Sequence, residues 1–289
     1  AGGFGAQGCH QLTPAQIHDA AVAIRSLTSK PFAFNFLMFL FDEDCFAAAL
    51  REKPAAIALA WPRPEQDLKR YIDRAHDAGC KVTLMAGGVS EAERGVAAGA
   101  DIIIAQGTEG GGHVGWMASI VLTPMVVDAV APVPVLAAGG IADGRGLAAA
   151  LALGAEGVLL GARFLASREA PLHANFKQAI VDSDGHDTVL TEIPDIAAGV
   201  VWPGAMSRAK RNAFIEHWAG REWALRQQRT EAYARVQAAR QAGDVNNAPL
   251  SYGQDAGLIN DVVPAGEIVQ RIAREAQEIL SKRLPAFIR

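Results

Sequence analysis

The chain has 289 residues, half of them hydrophobic, with a formal net charge of −4 and a pI near 6.0; this is enough apolar material for a sizeable core, and there is no Lys and Arg excess of the kind nucleic acids or anionic membranes select. The longest apolar run, Phe32 to Phe41, is about half the ~20 residues of a membrane-spanning helix and contains Asn35, and the opening Ala1-Gly2-Gly3-Phe4-Gly5 has neither the basic nor the apolar region of a signal peptide. Cys9, Cys45 and Cys80 are odd in number and lack a Cys-x-x-Cys pair, which speaks against a disulfide framework or a structural zinc site, so the expectation is a cytoplasmic protein with reduced thiols and a small neutral or anionic ligand.

Taken in chain order, short apolar runs predict strands near 2–7, 31–37, 55–61, 81–86, 101–105, 133–138 and 157–161. Amphipathic stretches lie between them. Thr13-Pro14-Ala15-Gln16 is a capping box with Pro at the first helical position and a Leu12–Ile17 staple; Ser90 with Glu93 repeats the box, and Thr123-Pro124 starts another helix. The joins Ala78-Gly79-Cys80-Lys81, Ala98-Gly99-Ala100-Asp101 and Leu153-Gly154-Ala155-Glu156 read as helix ends closed by Gly, each leading into a strand. Runs such as Asp101 to Ala105 and Pro134 to Ala138 are apolar on both faces, as parallel strands covered by helices must be, so the class is α/β with a parallel sheet. These signals alone do not choose between a barrel and an open sheet. The alternation stops near residue 168: residues 169–260 read as a helical extension or lid, with one long helical stretch from Ser207 to Ala242, and residues 261–289 carry a last helix, Gly266 to Arg283, returning to the barrel wall.

Three loops at strand C-terminal ends carry the chemistry. Gln106-Gly-Thr-Glu-Gly-Gly-Gly-His113-Val-Gly115 lets a backbone approach a flat ligand and delivers an imidazole; the bland alternative is a mobile surface loop with an incidental His. Ala137-Ala138-Gly139-Gly140-Ile141 precedes a helix beginning near Asp143, and Leu159-Leu160-Gly161-Ala162 follows one βα unit later. Glycine-exposed N–H groups backed by helix N-termini make an anion site, and two such loops late in the chain match the phosphate grip of (β/α) barrels. Gly3-Phe-Gly5-Ala-Gln-Gly8 and Gly110-Gly-Gly112-His-Val-Gly115 also satisfy G-x-G-x-x-G, but neither opens a helix directly after a strand. No His-x-x-x-His or carboxylate cluster suggests a catalytic metal, and there is no Gly-x-Ser-x-Gly elbow.

The order and spacing of Ala105-Gln-Gly-Thr-Glu-Gly-Gly-Gly-His113, Ala137-Ala-Gly-Gly-Ile-Ala-Asp143-Gly and Leu153 to Leu165, with Gly253-Gln254-Asp-Ala-Gly257-Leu-Ile259 near the end, resemble the nitronate monooxygenase family, formerly 2-nitropropane dioxygenases. The resemblance implies an FMN-dependent (β/α)8 TIM barrel with a helical C-terminal extension. It implies that Asn35, Gln106, Gly111, Gly140 and the segment Leu159, Leu160, Gly161, Ala162 contact FMN and that His113 faces the substrate; the two glycine loops, one βα unit apart, place the FMN phosphate on Gly139, Gly140 and Gly161. Ala162 stands where the family has Thr, and the family's first strand is expected to precede Ala1, which makes the seven strands the second to eighth of the barrel. The implied reaction is oxidation of an alkyl nitronate or nitroalkane by O₂ to a carbonyl compound and nitrite, by an enzyme without nucleic-acid or membrane partners; a homodimer is left open. Two alternatives stay open beside it: an NAD(P)H-dependent flavin reductase of a quinone or enoyl thioester, and a non-catalytic flavin or phosphate-ligand binder.

Overall fold

The computed structural model describes residues 1–287. Its strands in chain order are β1 (Gly5–Gly8), β2 (Phe32–Leu37), β3 (Ala56–Ala60), β4 (Lys81–Ala86), β5 (Ile102–Gln106), β6 (Gly112–Val114), β7 (Val135–Ala138), β8 (Gly157–Leu159), β9 (Thr188–Thr191) and β10 (Met206–Lys210). Seven of them form one parallel sheet in the order β1-β2-β3-β4-β5-β7-β8, with β1 and β8 as its two edges, and this half-barrel is surrounded by helices. The connecting helices are α1 (Pro14–Leu27), α2 (Glu43–Arg51), α3 (Leu68–Asp77), α4 (Val89–Ala97), α5 (Ser119–Val130) and α6 (Gly144–Ala152).

Strand alternation assigns the two faces of the sheet. Phe34, Phe36, Ile57, Leu59, Val82, Leu84, Ile103 and Ala105 belong to one core cluster with Phe46, Ile72 and Leu122 from the helices. Side chains two apart share a face, so Asn35, Ala58, Thr83 and Ile102, which are paired in register, lie on the opposite, inner face. Gln106, paired with Ala138, stands two rungs further along that face at the C-terminal end of β5. Burial of Phe34 and Phe46, both inaccessible to solvent, contributes about 1.5–3 kcal/mol each. The inner face thus carries polar Asn35, Thr83 and Gln106 among apolar residues such as Ile102, Ile104 and Leu136.

Local signals were obeyed where no tertiary partner competed. Thr13 accepts from the Gln16 N–H and Gln16 returns the bond to the Thr13 N–H, completing the capping box of α1, and Gly79, Gly99 and Gly154 close their helices with positive φ. The Ser90–Glu93 box does not form: Gly88 is the cap, and Glu91 reaches back to the Gly87 N–H at 2.7 Å. Nor does Thr123-Pro124 begin a helix. α5 starts at Ser119, whose N–H is taken by the Glu109 carboxylate at 2.9 and 3.0 Å, and Pro124 is carried inside the helix because Leu122, Val126 and Val130 are buried on either side of it. At the first strand, expected at 2–7, pairing with β2 begins only at Gly5.

The region read as purely helical contains strands. After α7 (Ala162–Leu165) and α8 (Ala174–Val181), β9 and β10 flank α9 (Ile193–Ala198), and β10 pairs antiparallel with both β9 and β6. The single helix expected from Ser207 to Ala242 is instead β10 followed by α10 (Ala213–Trp218), α11 (Glu222–Gln227) and α12 (Arg229–Ala242). Asn212 caps α10 through the Ile215 N–H at 3.1 Å, and Gly220 takes the left-handed conformation between α10 and α11. The last helix, α13 (Ala265–Glu278), packs on α6 so closely that a Cβ on Gly144 would lie 2.3 Å from Glu275 Cβ. Glu275 also accepts the Gly144 N–H at 2.9 Å. The same helix sets Val269 against Gly3, just ahead of β1, so α13 touches the elements at both edges of the sheet.

Candidate active site

The glycine-rich segment after β5 folds into a closed loop anchored by backbone contacts. The Thr108 N–H donates to the Met117 carbonyl at 2.7 Å, and any Cβ on Gly107 would sit 2.0 Å from Ser119 Oγ. Gly111 presses on the Tyr252–Gly253 backbone, where a Cβ would lie 2.3 Å from the Tyr252 carbonyl carbon. Gly112 has φ +74 and open space beside it. Of the three consecutive glycines, therefore, one packs against the extension and one faces a void.

Next to this loop, Gly139 and Gly140 take φ values of +91 and +72. Gly139 is held by Gly107, whose carbonyl oxygen would be 2.6 Å from a Cβ there, and by Ser119 Oγ, which donates to the Gly139 carbonyl at 2.9 Å. Gly161 precedes α7 with nothing within 4 Å of where its Cβ would be. Ala162 points the other way, buried with Ala142, Ala166 and Ala256; a hydroxyl there would enter a packed cluster. Leu159 and Leu160 are half-buried, Leu160 against Ile141 and Ala155. Among the described residues Asn35 and Gln106 make no side-chain hydrogen bond, which leaves the buried Gln106 Oε1 unpartnered there. An orphaned buried amide oxygen costs about 1–3 kcal/mol, so its place beside a glycine-walled gap fits a polar, flat group such as a flavin.

His113 lies on β6, opposite Ser207 of β10. Its Nε2 is 2.9 and 3.0 Å from the two carboxylate oxygens of Asp195 in the first turn of α9, and both side chains are mostly buried. A carboxylate accepts, so Nε2 donates to Asp195, and Nδ1 has no hydrogen-bond partner among the described residues. One face of the imidazole is covered by Trp202, stacked at 3.3 Å between centroids and 8° between planes. Trp202 in turn touches Phe39 and Trp61, which follow β2 and β3, so the ring that covers the histidine is itself held in an aromatic cluster. A cavity of about 530 Å³ lies on the far side of Asp195 and Trp202.

Sequence reading did not find Asp195, Trp202, Glu109, Arg208 or Tyr252. Arg208 is buried, donating from Nε to the Thr108 carbonyl at 2.9 Å and from Nη1 to Thr188 Oγ1 at 3.2 Å; burial pulls its guanidinium pKa down, opposed by Glu109. Tyr252 is fully buried and donates to Asp187 at 2.8 Å in a network with Ser183 and Lys210. Gln254, which sequence reading did single out, donates its N–H to the Glu109 carbonyl at 2.9 Å. Its neighbour Asp255 is buried without a cation, and burial pushes its carboxyl up to about 6. Asp195, Trp202, Arg208 and Tyr252 all lie in the extension. Among the described residues no group of three or more His, Cys, Asp or Glu side chains could hold a metal ion, and no helix is long and apolar enough to cross a membrane.

Comparison with known proteins agrees with this geometry. The nitronate monooxygenase family profile matches residues 46–275. A nitronate monooxygenase of Neurospora crassa is 36% identical over 291 aligned positions, covering 96% of this chain and 75% of that protein. A hydroxy-methyl-oxo-octahydroindene-carboxyl-CoA dehydrogenase of Mycobacterium tuberculosis is 39% identical over 66% of this chain, which spans only 54% of that relative's length. Among solved structures, FabK from Thermotoga maritima superposes with a TM-score of 0.86 at 33% identity, covering 99% of this chain and 88% of that one.

Proposed function

The chain belongs to the nitronate monooxygenase family of flavin-dependent oxidoreductases, and from that premise we propose that it binds FMN and oxidises an alkyl nitronate, or the parent nitroalkane whose acidic C–H yields it, with O₂ as the final oxidant. The observation that carries this reading is the His113–Asp195 pair beside the glycine cradle. FMN supplies the redox chemistry when bound. The N–H groups around Gly139, Gly140 and Gly161 would hold its phosphate, with Leu159, Leu160 and Ala162 completing that wall. Asn35, Gln106 and Gly111 would meet the ring.

His113 Nδ1 takes the α-proton of a neutral nitroalkane. Asp195 fixes the ring through Nε2 and steadies the positive charge that the imidazole acquires. Trp202, backed by Phe39 and Trp61, excludes water from one face of the imidazole. A nitronate arrives already ionised and needs no base, so for it the same histidine acts by binding the anion.

A second reading, dehydrogenation or reduction of a thioester, is favoured by one feature: the cavity of about 530 Å³ on the far side of Asp195 and Trp202 is far larger than a small nitronate needs. The relative from Mycobacterium tuberculosis is named for a CoA substrate. Mixing purified, FMN-loaded protein anaerobically with ethyl nitronate, and separately with NADH, decides between the two. Bleaching by nitronate supports the first reading; bleaching by NADH alone overturns it in favour of the second.

A further inference from the structure

Arg163 stands two positions after Gly161 and is only 5% exposed. Beside it a cavity of about 190 Å³ is bordered by α6, α13 and the chain around Asp261, and is lined among others by Asp143, Arg145, Arg163, Asp261, Arg271 and Glu275. Apolar packing is interrupted there, and charged groups connect the Gly161 turn to α13. Arg163 Nη2 donates to the Asp261 carbonyl at 2.9 Å and to the Ala166 carbonyl at 3.2 Å, and Nη1 lies 3.1 Å from Asp261 Oδ1. Asp261 Oδ2 accepts from Arg271 Nη1 at 2.6 Å, and Arg271 Nη2 donates to Glu267 at 2.7 Å, both on α13. Burial works against the Asp261 carboxylate, but the two arginines outweigh it and hold its carboxyl below the usual range. Further along, the Arg168 N–H donates to the Val263 carbonyl at 3.1 Å, and Glu169 takes the Ala265 N–H at 2.9 and 3.1 Å. Arg163 Nε is buried without a partner among the described residues. A buried cation with an unmet donor is costly where an apolar side chain could fill the same space, so packing does not account for it.

From this arrangement we propose that Arg163 and Asp261 are positioning residues for the flavin phosphate, their pair holding the Gly161 turn so that its N–H groups keep a fixed direction. The inference rests on the assignment of that phosphate to Gly139, Gly140 and Gly161. Neither Gly161 nor Ala162 carries a side-chain donor, so this turn can grip an anion only through backbone N–H groups, and such bonds weaken steeply as their angle closes. α7 is four residues long, too short to hold its own shape. The planar fork of Arg163 supplies what the helix lacks: one nitrogen ties the end of α7 at Ala166 to the backbone of Asp261, and the other faces the carboxylate. The second phosphate turn is tied to the same helix, because Glu275 accepts the Gly144 N–H at 2.9 Å. Both turns thus take their placement from α13.

The test is the release of flavin from FMN-loaded protein and from the same protein exchanged into riboflavin, which lacks the phosphate, followed on dilution by the return of free-flavin fluorescence. Wild type is expected to release riboflavin at least about tenfold faster than FMN. Asp261→Asn, close to isosteric, should speed FMN release about tenfold or more and change riboflavin release by no more than about twofold. Simple electrostatics predicts the reverse, because the substitution removes a negative charge from the neighbourhood of a phosphate. Arg163→Lys keeps the charge but not the fork, and should speed FMN release about as much. Arg271→Ala, at a side chain 35% exposed, frees Asp261 without touching Arg163; it should speed FMN release at least about threefold, and it decides the matter if the buried variants fail to fold. FMN release that is unchanged or slower in the variants, or riboflavin release accelerated as much as FMN release, overturns the proposal. Wild type that releases both flavins at one rate overturns the phosphate assignment and this inference with it, whereas an FMN preference that survives in every variant overturns this inference alone.

Discussion

Asp195→Asn isolates the contribution of the carboxylate while preserving shape. The amide oxygen can still accept from His113 Nε2, so the ring stays oriented and only the charge is lost. In the native pair both carboxylate oxygens lie within 3.0 Å of Nε2, and the two side chains are 13% and 15% exposed, so solvent screens the interaction little. A hydrogen bond to a charged group contributes about 1.5–3 kcal/mol. The charge matters most once the imidazole is protonated, after it has taken the substrate proton, so that amount should appear in the barrier for proton removal. At about 1.4 kcal/mol per tenfold, kcat/KM for a neutral nitroalkane should fall about 10- to 150-fold. The pre-ionised nitronate skips this step and should lose no more than about threefold on the same reasoning. Anaerobic stopped-flow absorbance of the flavin, recorded with nitroethane and with ethyl nitronate, reads both. Equal losses on the two substrates, or an unimpaired rate with nitroethane, would refute the assignment of His113 and Asp195 as a base and its support.

His113→Asn should retain flavin and lower nitroalkane turnover by about 10²–10⁴-fold, the usual contribution of a positioned base; unchanged turnover would remove His113 from the mechanism. Gly140→Val puts a branched side chain at φ +72 and 3.0 Å from Glu109 Cβ, and is expected to yield protein without flavin, while Gly161→Ala, where nothing lies within 4 Å, should fold normally and bind FMN more weakly; flavin absorbance per chain after gel filtration tests both. Burial raises the Asp255 carboxyl to about 6, so its contribution to stability is fully present in acid and is lost as the pH rises through that value. Asp255→Asn should therefore be more stable than wild type by about 2–3 kcal/mol near pH 7 and equal to it near pH 4, and urea denaturation showing a pH-independent difference would contradict this. Burial pushes the Cys9 thiol to about 12 and Cys45 to about 11, so native protein should react with an aromatic disulfide at least about 100-fold more slowly than protein in urea; comparable rates would show these thiols accessible.

The parallel sheet was legible because its signals are local. Apolar runs a few residues long, glycine closures such as Gly79, and the Thr13 box each specify their own element, and the resulting order of seven strands follows from short right-handed connections. The glycine loops were legible for the same reason: Gly139 and Gly140 do adopt a conformation that other residues resist. What could not be read was whatever depends on a distant partner. β6 is three residues long and exists only because β10 pairs with it, so His113 looked like a loop residue. Met206 to Lys210 has no strong strand signature, since its Ser207 and Arg208 are buried by the β9 and β6 neighbours and not by an apolar pattern. Asp195 is 82 positions from His113 in a polar segment, and no spacing rule links the two. Glu109 reads as one carboxylate in a glycine run until its bonds to Ser119 show that it caps α5.

The bridging position of α13 has a mechanical meaning. Between neighbouring strands of the half-barrel, spacing is set by backbone hydrogen bonds at about 4.8 Å, a rigid quantity that side-chain substitutions hardly change. The position of α13 is set instead by side-chain packing, Val269 against Gly3 and Glu275 on Gly144. Gly144 begins the helix that follows the Gly139–Gly140 turn. Through α6, α13 is coupled to the turn assigned to the phosphate, so that residues on α13, remote from His113, can adjust how firmly the cradle closes.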